Sequence, residues 1–365
     1  MRRSPLDDLH RARGACMRAC QGCHIPMVFS DWRREYQAIQ EGVGLIDLSH
    51  RGKFRLVGRD RRTWFQGMIT QDVVRLPDGR GAYAALLNPQ GHMLSDLRVF
   101  ALPDFLLVDV PGATASMFAP HLDHHLIMER VEIQDVTEQY ALLSLQGPRS
   151  ASALATCLGT EVREMAMWEV RCLECRHVPV ICARVTHCGE DGYDLFLPAE
   201  HAAAFWGHLS VRRPEFAVDA AGWEALNIRR VEAGIPWWGH DLDERIVPFE
   251  ARLERTAISF SKGCYIGQEI VARIEARGQV NNLLVGLLLE DDRLPEPDTP
   301  ILKADKKAGR ITSAVHSPTL NRGIALGFVR RALSTPDTEL TVGGEPSQTV
   351  RVAALPFIPH DYPSV

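Results

Sequence analysis

The C-terminal part of the chain, beyond residue 283, repeats one pattern that strongly limits its fold. Short apolar or alternating stretches follow one another with turn-forming residues between them, namely LLVGLLLE, AGRITSAV, GIALGFV and TVRVAAL. Strands this short and this evenly spaced are typical of a small barrel. An acidic, proline-rich stretch at 290–300 is interpreted as a linker or long turn. The pattern therefore predicts an all-β barrel at the C-terminal end.

Upstream of this region, strand-like and helix-like stretches are mixed without a regular βαβ order. Strand-like runs lie at 52–58, 81–88 and 93–101, and helical patterns lie at 61–69 and 222–234. This arrangement predicts an α+β fold rather than a doubly wound sheet. No G-x-G-x-x-G follows a strand and no G-x-x-x-x-G-K-[ST] occurs, so neither nucleotide-binding loop is predicted.

Composition narrows the classes of partner. The 365 residues are 45% apolar and 24% charged, which is ordinary for a globular protein of two or three domains. The net charge of -5 gives no general attraction to nucleic acid, and no apolar run reaches the ~20 residues of a membrane helix. We expect a cytoplasmic protein without a nucleic-acid or membrane partner, in which the nine cysteines are mostly thiols.

One of these thiols, Cys264, lies in the stretch SFSKGCYIGQEIVAR (259–273), just before a predicted helix. The positive end of the helix dipole and the charge of Lys262 both favour the thiolate, which is the nucleophilic form of cysteine. Gly263 and Gly267 would allow other groups to approach closely. The pattern fits either a reactive thiol tuned by Lys262 or a buried structural cysteine.

Within that stretch, KGCYIGQE (262–269) resembles the signature of the YgfZ family, the folate-dependent proteins of iron–sulfur cluster assembly and repair. Other segments resemble the larger superfamily that includes the glycine cleavage T-protein, a tetrahydrofolate-dependent aminomethyltransferase. These segments lie at 41–58, 86–100, 145–148, 189–198, 229–251 and 309–329. The resemblance therefore covers nearly the whole chain.

The resemblance implies a three-domain cloverleaf around a central hole that binds tetrahydrofolate or a one-carbon derivative. The implied folate-binding α+β domain is discontinuous and comprises residues 1–50 and 138–280. A second α+β domain would span 51–137, and the C-terminal β-barrel would span 281–365.

The resemblance also implies roles for three residues. Glu190, in the turn G-E-D-G, matches the acid that accepts two hydrogen bonds from the pterin edge, although an acid in such a turn is also a common turn former. Asp96 matches an acid near the reacting nitrogens of folate. Arg230 matches the arginine of an R-x-E-A-G helix, where a guanidinium would either bind the anionic folate tail or form an internal ion pair.

Two functions follow from the resemblance. The first is an accessory protein of YgfZ type, which binds tetrahydrofolate and assists iron–sulfur proteins or their assembly factors. Its catalytic residues would be Cys264, Lys262 and Asp96. The second is a tetrahydrofolate-dependent aminomethyltransferase of the glycine cleavage type. The octapeptide favours the first, and Ser95 and the run VDVPG (108–112) depart from the T-protein pattern. We therefore expect the accessory function.

Cysteine spacing offers a third alternative, a cluster carrier with a folate-binding fold. Cys16, Cys20 and Cys23 have the spacing C-x-x-x-C-x-x-C, with which radical S-adenosylmethionine enzymes hold a [4Fe–4S] cluster. Those enzymes place the motif in a barrel of parallel strands, which this sequence does not predict. Cys172 and Cys175 form another C-x-x-C, without a second pair at zinc spacing. No metal site is predicted.

Overall fold

The computed structural model of the protein describes residues 2–210, 216–343 and 347–360. Its helices are α1 (Asp7–Ala12), α2 (Trp32–Glu41), α3 (Arg61–Phe65), α4 (Ala115–Asp123), α5 (Ser150–Leu158), α6 (Ala202–Leu209), α7 (Trp223–Glu232), α8 (Glu254–Ala257) and α9 (Gln268–Arg277). Its strands are β1 (Cys16–Cys20), β2 (Cys23–Val28), β3 (Val43–Asp47), β4 (Gly52–Val57), β5 (Arg80–Leu87), β6 (Met93–Ala101), β7 (Leu106–Val110), β8 (Glu132–Asp135), β9 (Tyr140–Gln146), β10 (Val170–Cys175), β11 (Val178–Arg184), β12 (Gly192–Pro198), β13 (Val218–Ala220), β14 (Asn282–Leu289), β15 (Pro300–Lys303), β16 (Lys306–Ser317), β17 (Arg322–Arg330), β18 (Glu339–Val342) and β19 (Gln348–Ala353). None of the helices in these ranges is long and apolar enough to cross a membrane.

The first large sheet has the strand order β10-β11-β12-β9-β3-β13, in which β3 and β13 run parallel. Side chains alternate between the two faces of a strand. Along β12, Tyr193 and Leu195 pack under α5 and α6 in one apolar core, whereas Phe196 belongs to a different core on the other face. The sheet therefore has an outer face, covered by α5 and α6, and an inner face turned toward the rest of the molecule.

The second sheet has the strand order β5-β6-β7-β4-β8. One of its faces packs against α3 and α4. Its other face carries Tyr83, Phe100 and Leu107, which share a core with the inner face of the first sheet. The rings of Phe100 and Phe196 meet edge to face at 5.8 Å. The inner faces of the two sheets thus come together around one interior.

The C-terminal strands close into a barrel in the order β14-β17-β16-β15-β18-β19. The α+β fold with a C-terminal β-barrel is therefore confirmed. The proline-rich stretch 290–300 connects β14 to β15, as expected of a linker or long turn. The three domain boundaries implied by the resemblance stay a prediction.

Helix α7 carries a buried ion pair next to the barrel, and the same arginine also contacts a barrel strand. Arg230 is fully buried, and its guanidinium forms an ion pair with the equally buried carboxylate of Asp241. Its Nη2 also donates to Ser313 Oγ in β16 at 2.7 Å, and its Nε donates to Asn227 Oδ1 at 2.8 Å. This corrects the expectation that Arg230 faces a folate tail, because all three guanidinium nitrogens have protein acceptors in the interior.

A second contact with the barrel lies two residues further along α7, at Glu232. The Glu232 carboxylate accepts hydrogen bonds from Tyr36 Oη at 2.9 and 3.0 Å and from Ser317 Oγ at 2.5 Å. Tyr36 belongs to α2 and Ser317 ends β16. One carboxylate thus connects helix α2, helix α7 and the barrel.

The N-terminal cysteines do not form a cluster of three. Strands β1 and β2 make a hairpin in which Cys20 lies opposite Cys23 and Cys16 lies opposite Val28. Because a strand rises about 3.3 Å per residue, Cys16 lies about 13 Å along the strand from Cys20. The alternative of a cluster carrier using these three thiols is therefore wrong for this fold.

Candidate functional site

Five charged or titratable side chains, called here the central network, meet between the two sheets. Asp109 on β7 accepts from Arg51 Nε at 2.7 and 2.9 Å and from Arg98 Nη1 at 3.1 Å. Arg98 Nη2 lies 3.1 Å from His187 Nδ1, and His187 Nε2 lies 3.0 Å from both oxygens of Asp194. Each of the five is at most 3% exposed. Burial of so many charges is tolerated because they are paired.

The network fixes the protonation of His187. A guanidinium has only donors, so the Arg98 contact requires Nδ1 to be the acceptor. The single proton of the neutral ring is then on Nε2, where it donates to Asp194. Burial lowers the pKa of His187, in agreement with a neutral ring.

Asp96 lies on β6 beside this network and is 5% exposed. Its Oδ2 accepts from Tyr83 Oη at 2.9 Å. Its Oδ1 is buried and has no hydrogen-bond partner among the described residues. Buried carboxylate oxygens are normally paired, so the unpaired Oδ1 makes Asp96 a candidate for ligand binding.

Unpaired donors accompany this unpaired acceptor. Arg51 Nη2 and Arg98 Nε are also buried without a partner in the described part of the chain. Burial lowers the pKa of Arg51, but the carboxylates of Asp109 and Asp96 outweigh this effect and raise it. The interior around the central network therefore contains both an anionic acceptor and cationic donors whose hydrogen-bonding capacity the described residues leave unused.

Glu190 belongs to a second polar group, at the turn between β11 and β12. Its Oε1 accepts from Arg229 Nη2 at 2.5 Å, and Arg229 Nη1 donates to Glu232 Oε2 at 2.8 Å. The Glu190 side chain keeps 24% of its surface exposed. Burial raises its pKa, and Arg229 opposes that shift. Arg229 thus orients a carboxylate that still reaches a cleft.

The cleft beside Glu190 is narrow and is lined partly by the end of the chain. Its walls include Gly189, Arg229 and the segment 358–360. Gly189 has φ +78°, and a Cβ there would lie 2.8 Å from the His360 ring. Glycine is therefore required in this turn, which brings the backbone next to Glu190 close to the C-terminal segment.

The two polar groups are connected by one short loop. His187 of the central network and Glu190 are three residues apart in the chain, so their Cα atoms are at most about 11 Å apart. The turn that carries Glu190 and the central network are therefore close neighbours in space.

Lys262 was expected to act on the Cys264 thiol, but its ammonium group is bound elsewhere. Its ammonium donates to the carbonyl oxygens of Gln66 and Ile69 at 2.5 Å and of Gln71 at 2.9 Å. These three acceptors match the three donors of an ammonium group. Burial lowers the pKa of Lys262 to about 8. Lys262 anchors the loop 66–71, and the structure gives it no donor to spare for a thiol.

Cys264 is exposed and lies outside the helix that follows it. Helix α9 begins at Gln268, after Gly267 in the left-handed conformation with φ +84°. A Cβ at Gly267 would lie 2.7 Å from the Asn88 carbonyl oxygen. The contacts of Lys262 and Gly267 thus hold the octapeptide against the second sheet and the loop 66–71. A helix dipole acts mainly within its first turn, so it acts only weakly on Cys264.

Several residues of the two polar groups were not predicted from the sequence. They are Arg51, Tyr83, Arg98, Asp109, His187, Asp194 and Arg229. A usable signal existed for three of them, because Arg98, Asp109 and Asp194 interrupt otherwise apolar strands. A charge in the interior of a buried strand indicates a paired or ligand-binding group.

Comparison with known proteins places this geometry in a family. Residues 6–262 match the GCVT N-terminal domain, and residues 283–358 match the glycine cleavage T-protein C-terminal barrel domain. The chain is 32% identical to an aminomethyltransferase of Rubrobacter xylanophilus, over 98% of this chain and 94% of that protein. It is 31% identical to one from Moorella thermoacetica, over 98% of both. The glycine cleavage system aminomethyltransferase T of Bartonella henselae has the same fold, with a TM-score of 0.90, 22% identity and 98% coverage of both chains.

These findings correct the expected function. The accessory role in iron–sulfur assembly rested on one octapeptide, whereas the relatives named aminomethyltransferase match over nearly the full chain. The iron–sulfur partners and the YgfZ-type assignment have no support beyond that octapeptide, whose Lys262 and Gly267 have structural tasks. The chain belongs to the glycine cleavage T-protein (GCVT) family.

Proposed function

We propose that this protein is a tetrahydrofolate-dependent aminomethyltransferase of the glycine cleavage type. The observation that carries the proposal is the buried, unpaired Oδ1 of Asp96, beside the unpaired donors Arg51 Nη2 and Arg98 Nε. Membership of the family and the aminomethyltransferase relatives support the same reaction. The folate expected from the resemblance agrees with this family.

The side chains fit such a cofactor. Tetrahydrofolate supplies the nitrogens that accept the one-carbon unit. Asp96 would lie beside those nitrogens and would stabilise positive charge or hold a proton at Oδ1. Tyr83 fixes the carboxylate through its hydrogen bond to Oδ2.

Glu190 would hold the far end of the same molecule. A pterin presents an amide N–H and an amino group side by side, and a carboxylate can accept from both. Oε1 of Glu190 has a second lone pair beyond the Arg229 bond, so that contact and a ligand contact are compatible. Arg229 would act as a positioning residue.

The two sequence departures from the T-protein pattern do not remove these groups. Ser95 is fully buried, and its Oγ contacts Thr114 Oγ1 at 2.8 Å. Adjacent residues of a strand point to opposite faces, so Ser95 points away from the side that carries Asp96. In the run VDVPG, Asp109 pairs with both arginines of the central network. Neither departure argues against the transferase.

The reaction itself is the test. The purified chain is given an aminomethylated lipoyl carrier with tetrahydrofolate, and ammonia release is followed. We expect release that depends on tetrahydrofolate at a rate typical of metabolic enzymes, about 1–10³ s⁻¹. Release that is absent, or equal without folate, would contradict the proposal.

The Glu190→Ala substitution should weaken tetrahydrofolate binding. Losing a charge-assisted pair of hydrogen bonds costs about 2–3 kcal/mol, which is roughly a 30–150-fold rise in the dissociation constant. Isothermal calorimetry measures it directly. Asp191→Ala is an unsuitable control because Asp191 is bound to Arg184, so the exposed Glu200 is replaced instead. Equal binding by Glu190→Ala and Glu200→Ala would exclude the role of Glu190.

The Cys264→Ser substitution should leave the transferase activity nearly unchanged. Cys264 is exposed, and its catalytic role was expected only for the iron–sulfur function. We expect kcat/KM within about twofold of the unmodified protein, since no binding or catalytic interaction is lost. A loss of tenfold or more in the ammonia-release assay would restore the reactive-thiol hypothesis.

A further inference from the structure

Three potential metal ligands meet at the outer face of the first sheet. Cys157 comes from α5, Cys175 from the end of β10 and His208 from α6. One ligand atom of each, the two sulfurs and an imidazole nitrogen, all lie within 4.8 Å of one another. Three sequence segments that are distant in the chain thus converge on one point.

The fold brings Cys175 there through strand alternation. Cys175 and Leu173 both pack into the apolar core under α5 and α6. Cys172 is three residues from Cys175 and therefore points to the other face of β10, where it is exposed. The C-x-x-C of the sequence is consequently not a chelating pair, and the partner of Cys175 is the helical Cys157.

This group of ligands is separate from the proposed folate site. The central network contains Asp194, whose neighbour Leu195 packs in the core under α5 and α6. Because adjacent residues of a strand face opposite ways, Asp194 lies on the inner face. The cysteine–histidine group and the central network thus occupy opposite faces of the same sheet.

The donor set is one that zinc prefers. Zinc binds two thiolates and one imidazole with bonds of about 2.3 and 2.0–2.1 Å, so ligand atoms in a tetrahedral site lie about 3.5–3.8 Å apart. The observed limit of 4.8 Å therefore needs a contraction of only about 1 Å. Cys157 and His208 line a narrow surface cleft, which gives an ion and a water ligand a route to the site.

We propose that Cys157, Cys175 and His208 bind one zinc ion, with solvent as a fourth ligand. Binding requires both thiols to lose their protons, which are released to solvent. The ion would tie α5 and α6 to β10, the edge strand of the sheet. The proposal departs from the sequence-based prediction that the protein has no metal site.

The test uses the full chain, reduced and freed of metal. It is titrated with zinc chloride in competition with a chromophoric chelator, and in parallel with cobalt(II). We expect one zinc ion per chain and a near-ultraviolet thiolate-to-cobalt absorption band. Zinc should also raise the thermal midpoint of unfolding, since it binds only the folded site.

Matched variants distinguish zinc binding at this site from nonspecific zinc binding elsewhere on the protein. His208→Ala and Cys157→Ser should lose both the stoichiometric zinc and the cobalt band while keeping the far-ultraviolet circular dichroism of the parent. Cys172→Ser, on the same strand but the opposite face, should keep both. Unchanged zinc binding in His208→Ala and Cys157→Ser would overturn the proposal. So would a Cys157–Cys175 disulfide found by peptide mapping of the protein as purified, before any reduction.

Discussion

Replacing Asp96 by asparagine should lower kcat for ammonia release by about 10²–10⁴, the range contributed by a group that handles a proton or a developing charge. The amide keeps the size of the carboxylate and can still accept from Tyr83 Oη. It loses the negative charge at Oδ1, the buried oxygen without a partner in the described part of the chain. The measurement is kcat with saturating tetrahydrofolate and carrier.

Stability distinguishes a functional role of Asp96 from a structural one. The cost of burying a carboxylate with one unpaired oxygen opposes its attraction to the Arg51 guanidinium, so removing the Asp96 charge should change the thermal midpoint only slightly. Activity should fall while stability does not. Asp104→Asn, in the exposed turn after the same strand, serves as the control and should leave both unchanged. If Asp96→Asn loses stability and activity together, the residue is structural and the proposed mechanism fails.

The Arg230→Ala substitution should destabilise the protein by about 3–5 kcal/mol, because it leaves the Asp241 carboxylate buried without its counter-charge. Asp241 is 0% exposed. Its other donors, the Thr312 hydroxyl at 2.5 Å, the Ser313 hydroxyl at 2.8 Å and the Trp237 backbone N–H at 3.1 Å, are neutral and cannot compensate a full charge. Urea-induced unfolding, followed by tryptophan fluorescence, measures the change.

Two further variants test the cause of this destabilisation. Adding Asp241→Asn to Arg230→Ala removes the uncompensated charge and should recover part of the lost stability. Arg245→Ala breaks ion pairs on the surface, where Arg245 is 57% exposed, and should cost less than about 1 kcal/mol. Equal losses for Arg230→Ala and Arg245→Ala would show that the buried pair has no special importance.

Local patterns in the sequence were sufficient to predict much of the fold. Alternation and turn residues are properties of neighbouring positions, so the C-terminal barrel and strands such as β4 and β6 could be predicted from short stretches. Asp96 and Glu190 were selected through resemblance, and the structure places both in polar surroundings suited to a ligand. Their roles in folate binding stay a prediction.

Pairing between distant segments could not be predicted in this way. Arg98 contacts His187 across 89 positions, and Arg51 contacts Asp109 across 58. The same limit applies to Arg230. The sequence cannot distinguish an internal ion pair from a ligand contact at this residue, because only the fold brings Asp241 and Ser313 to its guanidinium.

The octapeptide shows a different limit of sequence reasoning. The lysine, the two glycines and the cysteine of the octapeptide suggested reactive chemistry. The structure explains Gly267 and Lys262 by their contacts with the backbone of neighbouring segments instead. Gly267 is needed for its positive φ and its close approach to Asn88, and Lys262 for its three carbonyl contacts. A short specific motif can therefore specify how segments pack rather than which reaction occurs.

The hydrogen bonds that meet at Glu232 have a consequence for the synthesis of the protein. Its carboxylate is bound by Tyr36, near the start of the chain, and by Ser317, in the barrel, and it also holds Arg229, the partner of Glu190. During translation the N-terminal segments emerge first, so this arrangement cannot be completed until the ribosome has released residue 317. Nascent chains that stop before the barrel would lack the Ser317 contact, so Glu232, and through it Arg229 and Glu190, would be held by fewer hydrogen bonds than in the folded protein.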